Sequence, residues 1–190
     1  MLSILGFAGS TRTDSYNKKL VKIALNGAEE AGAKVTYLDL RDFPLPLYDG
    51  DLEEQQGLPE NARKLKDLFL AHQGLLIASP EYNSSISGVL KNAIDWVSRP
   101  VEGEESLACF TGKVCSLMSA SPGALGGLRG LVPLRMLLGN IGVIVLPDQV
   151  AVSKAMQAFT PNGDLQDSRQ HQSIKALGAN VAHMLSKIHA

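Results

Sequence analysis

Residues 2–17 read LSILGFAGSTRTDSYN, and the fold follows from how this stretch is parsed. Leu2 to Ala8 is mostly apolar without alternation, the pattern of a strand covered on both faces. Gly9 to Asp14 breaks that pattern with small and hydroxyl-bearing residues, so a loop follows. From Ser15 to Ala31 the apolar positions Leu20, Val21, Ala24, Leu25 and Ala28 recur at helical spacing, and Gly32 stands where a helix C-cap is expected. A buried strand, a short loop and an amphipathic helix in that order open a parallel α/β sheet.

The rest of the chain repeats the unit. Val35 to Leu38 is the expected second strand. Arg41 to Pro59 carries Pro44, Pro46, Gly50, Gly57 and Pro59, so it reads as a long surface loop of the kind that serves function or covers a partner surface. A helix is expected over Asn61–His72, with Ala62, Leu65, Leu68 and Phe69 inward. A strand over Gly74–Ser79 runs into Pro80, and a helix spans Ser87–Ser98. The acidic run Glu102 to Glu105 reads as a solvated loop. Lys113–Ala120 is the fourth strand, and the glycine-rich loop Ser121–Gly130 opens a helix over Leu131–Leu138. Val143–Leu146 starts a fifth strand, and the last helix covers about Leu165 to Ile188. With no repeat or long linker, residues 1–190 are expected to form one domain. The expected class is α/β: a flavodoxin-like, doubly wound, five-stranded parallel sheet of order 2-1-3-4-5 with helices on both faces. Ligands of such sheets lie beyond the C-terminal strand ends, near the point where strand order reverses. Three loops leave those ends: 9–17, 80–87 and 121–130.

In the first loop, small hydroxyl residues and a helix N-terminus bring unsatisfied N–H groups to one point, and Arg12 adds a two-pronged cation. A phosphate held by Ser10, Arg12, Ser15 and Asn17 is one reading; a plain turn with Asp14 or Ser15 capping the helix is the other. The dinucleotide fingerprint GxGxxG is missing after the first strand, and Gly112-Lys113 is followed by Val114 rather than Ser or Thr, so no Walker loop exists. The anion would be the single phosphate of a mononucleotide.

The second loop, SPEYNSS at 79–85, starts from a proline that fixes direction and forces the backbone beyond it to turn. Its N–H groups are candidates to meet a flat heterocycle, with the Tyr82 ring beside it. A strand-to-helix turn capped by Ser84, Ser85 or Ser87 is the structural alternative. The third loop, SASPGALGG at 119–127, has glycines that permit close backbone approach to a ligand, or simply a flexible turn.

Composition narrows the function. The 190 residues carry 18 Lys and Arg against 19 Asp and Glu, a net charge of −1, which argues against a general nucleic-acid binder. No apolar run reaches the roughly 18–20 residues of a membrane span, so no membrane insertion is expected. The N-terminal run is too short and lacks a basic leader for a signal peptide. Cys109 and Cys115 are expected as free, small core thiols, which suits a cytoplasmic protein. His72, His171, His183 and His189 have no metal-ligand spacing, a GxSxG elbow is absent, and no metal site is expected.

The blocks GSTRTDSYN at 9–17, SPEYN at 79–83, KNAIDW at 91–96 and SPGALGG at 121–127 together resemble the NADPH-dependent FMN reductase family, the quinone, azo and chromate reductases of the flavodoxin-like superfamily. The resemblance implies FMN phosphate at Ser10, Arg12, Ser15, Tyr16 and Asn17. It implies flavin-ring contacts at Pro80, Glu81, Tyr82, Asn83 and Ser84, with Ser119, Ser121, Gly123 and Gly126 on the other side of the ring. The KNAIDW block is assigned to packing. NAD(P)H is the implied co-substrate, in a ping-pong exchange at flavin N5 followed by two-electron reduction of a small acceptor, with no catalytic side chain. A homodimer or homotetramer is implied. An FMN-bearing electron carrier or redox sensor docking to a protein partner is the alternative; near-neutral charge favours the enzyme.

Overall fold

The computed structural model describes residues 2–189. Its strands are β1 (Ser3–Ala8), β2 (Lys34–Leu38), β3 (Gly74–Ala78), β4 (Val114–Ala120) and β5 (Ile144–Val152). They form one parallel sheet of order β2-β1-β3-β4-β5, as the sequence predicts. The helices are α1 (Tyr16–Glu30), α2 (Gly50–Gln56), α3 (Glu60–Leu70), α4 (Gly88–Val97), α5 (Leu128–Asn140), α6 (Ala155–Ala158) and α7 (Ser168–Ile188).

Alternation of side chains across each strand feeds two cores. Ile4 and Ala8 of β1, Leu76 of β3 and Met118 of β4 pack against Leu20, Val21 and Ala24 of α1 and Ile174, Leu177 and Val181 of α7. Leu5, Phe7, Leu75, Ile77 and Leu117 point the other way, onto Leu65 and Phe69 of α3, Leu90 and Ile94 of α4, and Leu131 and Leu134 of α5. Two buried faces explain why the strands read as unbroken apolar runs. Each fully buried Leu, Ile or Phe contributes about 1.5–3 kcal/mol. On the first face α1 and α7 nearly touch: a Cβ on Gly178 would collide with the Ala24 carbonyl, and one on Gly27 with the Lys175 carbonyl.

Three segments depart from the sequence reading, α6 is a short helix that it does not mark, and the fifth strand runs on beyond its expected start. The stretch 41–59 is not one loop, because it contains the 3-10 turn Leu40–Asp42 and α2. Asp49 caps α2 by accepting from Asp51 N at 2.9 Å, but the helix buries no residue, so it carries no hydrophobic period to be read. The fifth strand continues past Leu146 to Val152 through Pro147; it is an edge strand, and its register with β4 shifts between Cys115 and Leu117, which accommodates a residue without an N–H. Helix α5 begins at Leu128, three residues before the expected start, because Gly130 packs against the turn at residues 81–85 instead of ending the loop. In the acidic run, Glu104 is not simply solvated: its carboxylate lies 3.0 Å from the buried Lys66 ammonium, which also donates to Arg99 O at 2.9 Å.

The KNAIDW block packs, and its partner is the segment 44–49. Trp96, fully buried, donates from Nε1 to Pro46 O at 2.8 Å, and Asn92 Nδ2 donates to the same carbonyl at 2.9 Å. Asn92 Oδ1 accepts from Tyr48 N at 2.8 Å, and the Tyr48 ring meets Trp96 edge-on at 5.0 Å. Cys109 and Cys115 are buried free thiols. His72 is structural, with Nδ1 2.6 Å from Leu68 O and Nε2 2.8 Å from Thr36 Oγ1. Lys113 donates from its buried ammonium to His72 O.

Candidate functional site

The loops after β1, β3 and β4 converge beyond the C-terminal edge of the sheet. Gly9 N donates to Ala78 O at 2.9 Å, and Ser87 Oγ donates to Gly9 O at 2.6 Å while accepting from Leu90 N at 3.2 Å. Ser87 is therefore the cap of α4 and also binds the second loop to the first.

The first loop decides between an ordinary helix cap and an anion cradle. Ser15 holds the N-cap position of α1 in extended conformation, yet its hydroxyl makes no capping bond. Asp14 is turned to Lys19, whose ammonium at 2.6 Å holds that carboxyl below the usual carboxylate range. Among the described residues the N–H groups of Tyr16 and Asn17 have no acceptor, and the Arg12 guanidinium has no partner. Ser10 and Ser15 are buried beside them. A helix end with free N–H groups, two buried hydroxyls and an unengaged guanidinium fits a phosphate in donor count and charge. Asn17 takes a different part: its side-chain amide is engaged by both backbone groups of Ala120. Tyr16 stacks on Phe159, with centroids 5.5 Å apart.

In the second loop Tyr82 and Ser85 exchange both backbone hydrogen bonds, at 2.9 and 3.0 Å. Asn83 (φ 52°) and Ser84 (φ 63°) between them are both left-handed, the conformation of a type I′ hairpin turn. Consecutive non-glycine residues in that region store local strain. The N–H groups of Glu81, Asn83 and Ser84 have no acceptor among the described residues. The turn thus carries three unpartnered donors, a number suited to a polar heterocycle edge. Tyr82 is 56% exposed, so its ring is available at the rim.

The third loop is held from beneath, with Ser121 N donating to Val152 O and Lys154 N to Gly123 O. Its glycines do not act alike. Gly126 (φ +63°) lies on the end of β5, where a Cβ would come within 2.7 Å of the Val152 backbone. The close approach it permits is to β5. Gly123 is the open one, with only Ser121 Oγ at 3.5 Å from a notional Cβ. Ser119 is fully buried, its unpartnered hydroxyl lying under Gly127.

A cavity of about 240 Å³ lies between the loops. Its wall includes Ser10, Arg12, Ser15, Tyr16 and Asn17 from the first loop, Pro80, Glu81 and Tyr82 from the second, and Ser121 from the third. Of the residues singled out from sequence, Asn83, Ser84, Ser119, Gly123 and Gly126 are not on that wall. Ala120 and Pro122 are on it and were not singled out, since neither carries a side-chain group that signals binding. A second cavity of about 250 Å³ shares Ser10, Arg12 and Tyr82 with the first and extends to Val89. Together they reach the ~300–1,000 Å³ class of small-molecule sites. A third, of about 220 Å³, continues from Thr11 and Val89 between Leu40, Phe43 and Leu45.

The fold is that of a flavodoxin-like α/β protein, with a cluster of unpartnered donors at the topological switch point. Residues 2–157 match the family model described as NADPH-dependent FMN reductase. The chain is 35% identical over 175 residues to an NAD(P)H-dependent FMN reductase of Pseudomonas aeruginosa, covering 92% of this chain and 90% of that protein. It is 36% identical over 166 residues to a quinone reductase of Pseudomonas putida, covering 87% and 85%. Among solved structures, FerB, a flavoenzyme NAD(P)H:(acceptor) oxidoreductase from Paracoccus denitrificans, superposes with a TM-score of 0.81 at 28% identity over 98% of each chain. The chain belongs to the NADPH-dependent FMN reductase family and is an oxidoreductase. FMN and NAD(P)H, expected from sequence, are the cofactor and co-substrate of that family. Among the described residues no helix is long and apolar enough to cross a membrane.

Proposed function

We propose that the chain is an FMN-dependent NAD(P)H oxidoreductase acting on quinones, azo compounds, chromate or similar small acceptors. The observation that carries this reading is the N-terminus of α1, left uncapped by Ser15 and Asp14 beside the free guanidinium of Arg12. Ser10, Arg12, Ser15 and the N–H groups of Tyr16 and Asn17 would hold the phosphate. Pro80, Glu81 and Tyr82 would flank the ring with Ser121, while the N–H groups of Asn83 and Ser84 would face its polar edge. Gly123 would border the ring on its open side, and Ser119 and Gly126 would support that loop from behind. Bound FMN supplies hydride acceptance at N5 and two-electron release; the protein supplies position and electrostatics.

Tyr82 is the one exposed aromatic of the two ring-flanking loops, which leaves one face of the site open. Nicotinamide and acceptor would use that face in turn, hence ping-pong kinetics. The apolar cavity between Leu40, Phe43 and Leu45 supports an apolar acceptor such as a quinone. We place the enzyme in the cytoplasm, on the strength of two free thiols, as a single-domain homodimer or homotetramer. Exposed Leu128, Val132 and Met136 follow one face of α5, with exposed Leu125 in the turn just before it, and support self-association.

Purified protein should carry yellow FMN and oxidise NADH or NADPH when benzoquinone is added, with parallel double-reciprocal lines. Protein that binds no FMN and consumes neither nucleotide with quinone, azo dye or chromate would falsify the reading.

A further inference from the structure

Glu81 is the one carboxylate on the wall of the cavity shared by the three loops, among the described residues. Its side chain is 9% exposed. Oε1 accepts from Arg129 Nε at 2.9 Å and lies 2.8 Å from Arg129 Nη2, so two arms of the guanidinium fork grip a single carboxylate oxygen. Oε2 accepts from Gly130 N, in the first turn of α5, at 3.3 Å. The positive end of that helix therefore also faces the carboxylate. Contact this close depends on missing side chains. A Cβ on Gly130 would lie 3.1 Å from Ser85 O and 3.3 Å from Glu81 Cβ, and one on Gly127 would run into Ser119 Oγ.

We infer that Glu81 and Arg129 are a positioning pair, which locks the 81–85 turn onto the N-terminus of α5 and neutralises the carboxylate beside the redox site. The inference rests on the reading that FMN occupies this cavity. The lock joins two of the three loops, so the N–H groups of Asn83 and Ser84 keep one position relative to residues 121–127. The neutralisation matters because an uncompensated, nearly buried carboxylate would oppose both a phosphate dianion and electrons delivered to the site.

The two roles are separable by charge. Holoprotein and the variants Glu81→Gln, Arg129→Ala and Arg129→Lys are compared by FMN titration and by FMN midpoint potential. Glu81→Gln and Arg129→Ala should each weaken FMN retention about three- to tenfold, a range discounted for the exposure of Arg129. Their potentials should move in opposite directions: upward when the carboxylate is removed, downward when its counter-charge is. Arg129→Lys keeps the charge without the fork and should fall between wild type and Arg129→Ala. Potential shifts of one sign, or none, overturn the inference, because losing a merely structural contact acts alike from either end. Hydrogen exchange on flavin-free protein tests the lock without the cofactor. Arg129→Ala should speed exchange in both 81–86 and 125–130; unchanged exchange there overturns the lock. Wild-type protein that retains no FMN would instead overturn the underlying cofactor reading.

Discussion

Asn17 meets Ala120 with both ends of its amide: Nδ2 donates to the Ala120 carbonyl at 3.0 Å, and Oδ1 accepts from the Ala120 N–H at 2.9 Å. The pair is buried and joins the start of α1 to the end of β4, 103 residues apart. Asn17→Ala leaves two buried backbone groups of Ala120 without their side-chain partner. It should lower stability by about 2–4 kcal/mol, measured by urea unfolding at pH 7. A loss of less than about 0.5 kcal/mol, the scale of an ordinary surface change, would show that the clamp contributes little.

Arg12 is exposed and makes no side-chain hydrogen bond or salt bridge among the described residues, so Arg12→Ala should leave the unfolding midpoint nearly unchanged. FMN affinity should fall about 10- to 100-fold, the weight of a charge-assisted phosphate contact. Fluorescence titration of flavin-free protein reads this directly. Unaltered affinity would remove Arg12 from the phosphate site.

Tyr37 faces an alkaline transition. Burial, and then the charges of Asp39 and Asp42, push its phenol up to about 12 from an unfolded value near 10. Because the folded state holds this proton more tightly, the stabilisation is fully present below pH 10 and is lost as pH rises through 12. Tyr37→Phe should show a shallower fall of stability over that window in a series of urea melts. An identical pH slope in both proteins would contradict the assignment.

The two thiols should be silent in the native state. Burial pushes Cys109 and Cys115 upward, away from thiolate formation at neutral pH. A disulfide reagent such as DTNB at pH 8 should label neither until denaturant is added, and then label both. Rapid native labelling of Cys109 would mean that the segment over it opens locally.

What the sequence made legible follows from which signals are periodic. Strands such as Leu75–Ile77 and helices such as α7 were readable because burial on two faces, or on one stripe, writes itself as hydrophobic pattern. Helix α2 buries nothing and so left no trace apart from Asp49 and Gly57. The end of β5 was not marked either: the strand runs through Pro147, which an edge position and a register shift allow. At the site, composition found Ser10, Arg12 and Ser15 but left open whether Ser15 capped the helix. Only the geometry of its hydroxyl separates those cases. Nor does sequence show that the Asn17 amide belongs to Ala120, or that Glu81 belongs to Arg129. Those are contacts between residues 48 to 103 positions apart.

The unfilled cap of α1 also sets a conflict for the evolution of this chain. Placing Asp at position 15 would add a carboxylate at the positive end of the helix, worth about 0.3–1 kcal/mol of helix stability. It would also set a negative charge where a phosphate is to sit. Position 15 is thus a site at which selection for robustness and selection for cofactor retention pull apart. A library screened for thermal survival without flavin should drift there toward acidic residues, while one screened with flavin should keep serine.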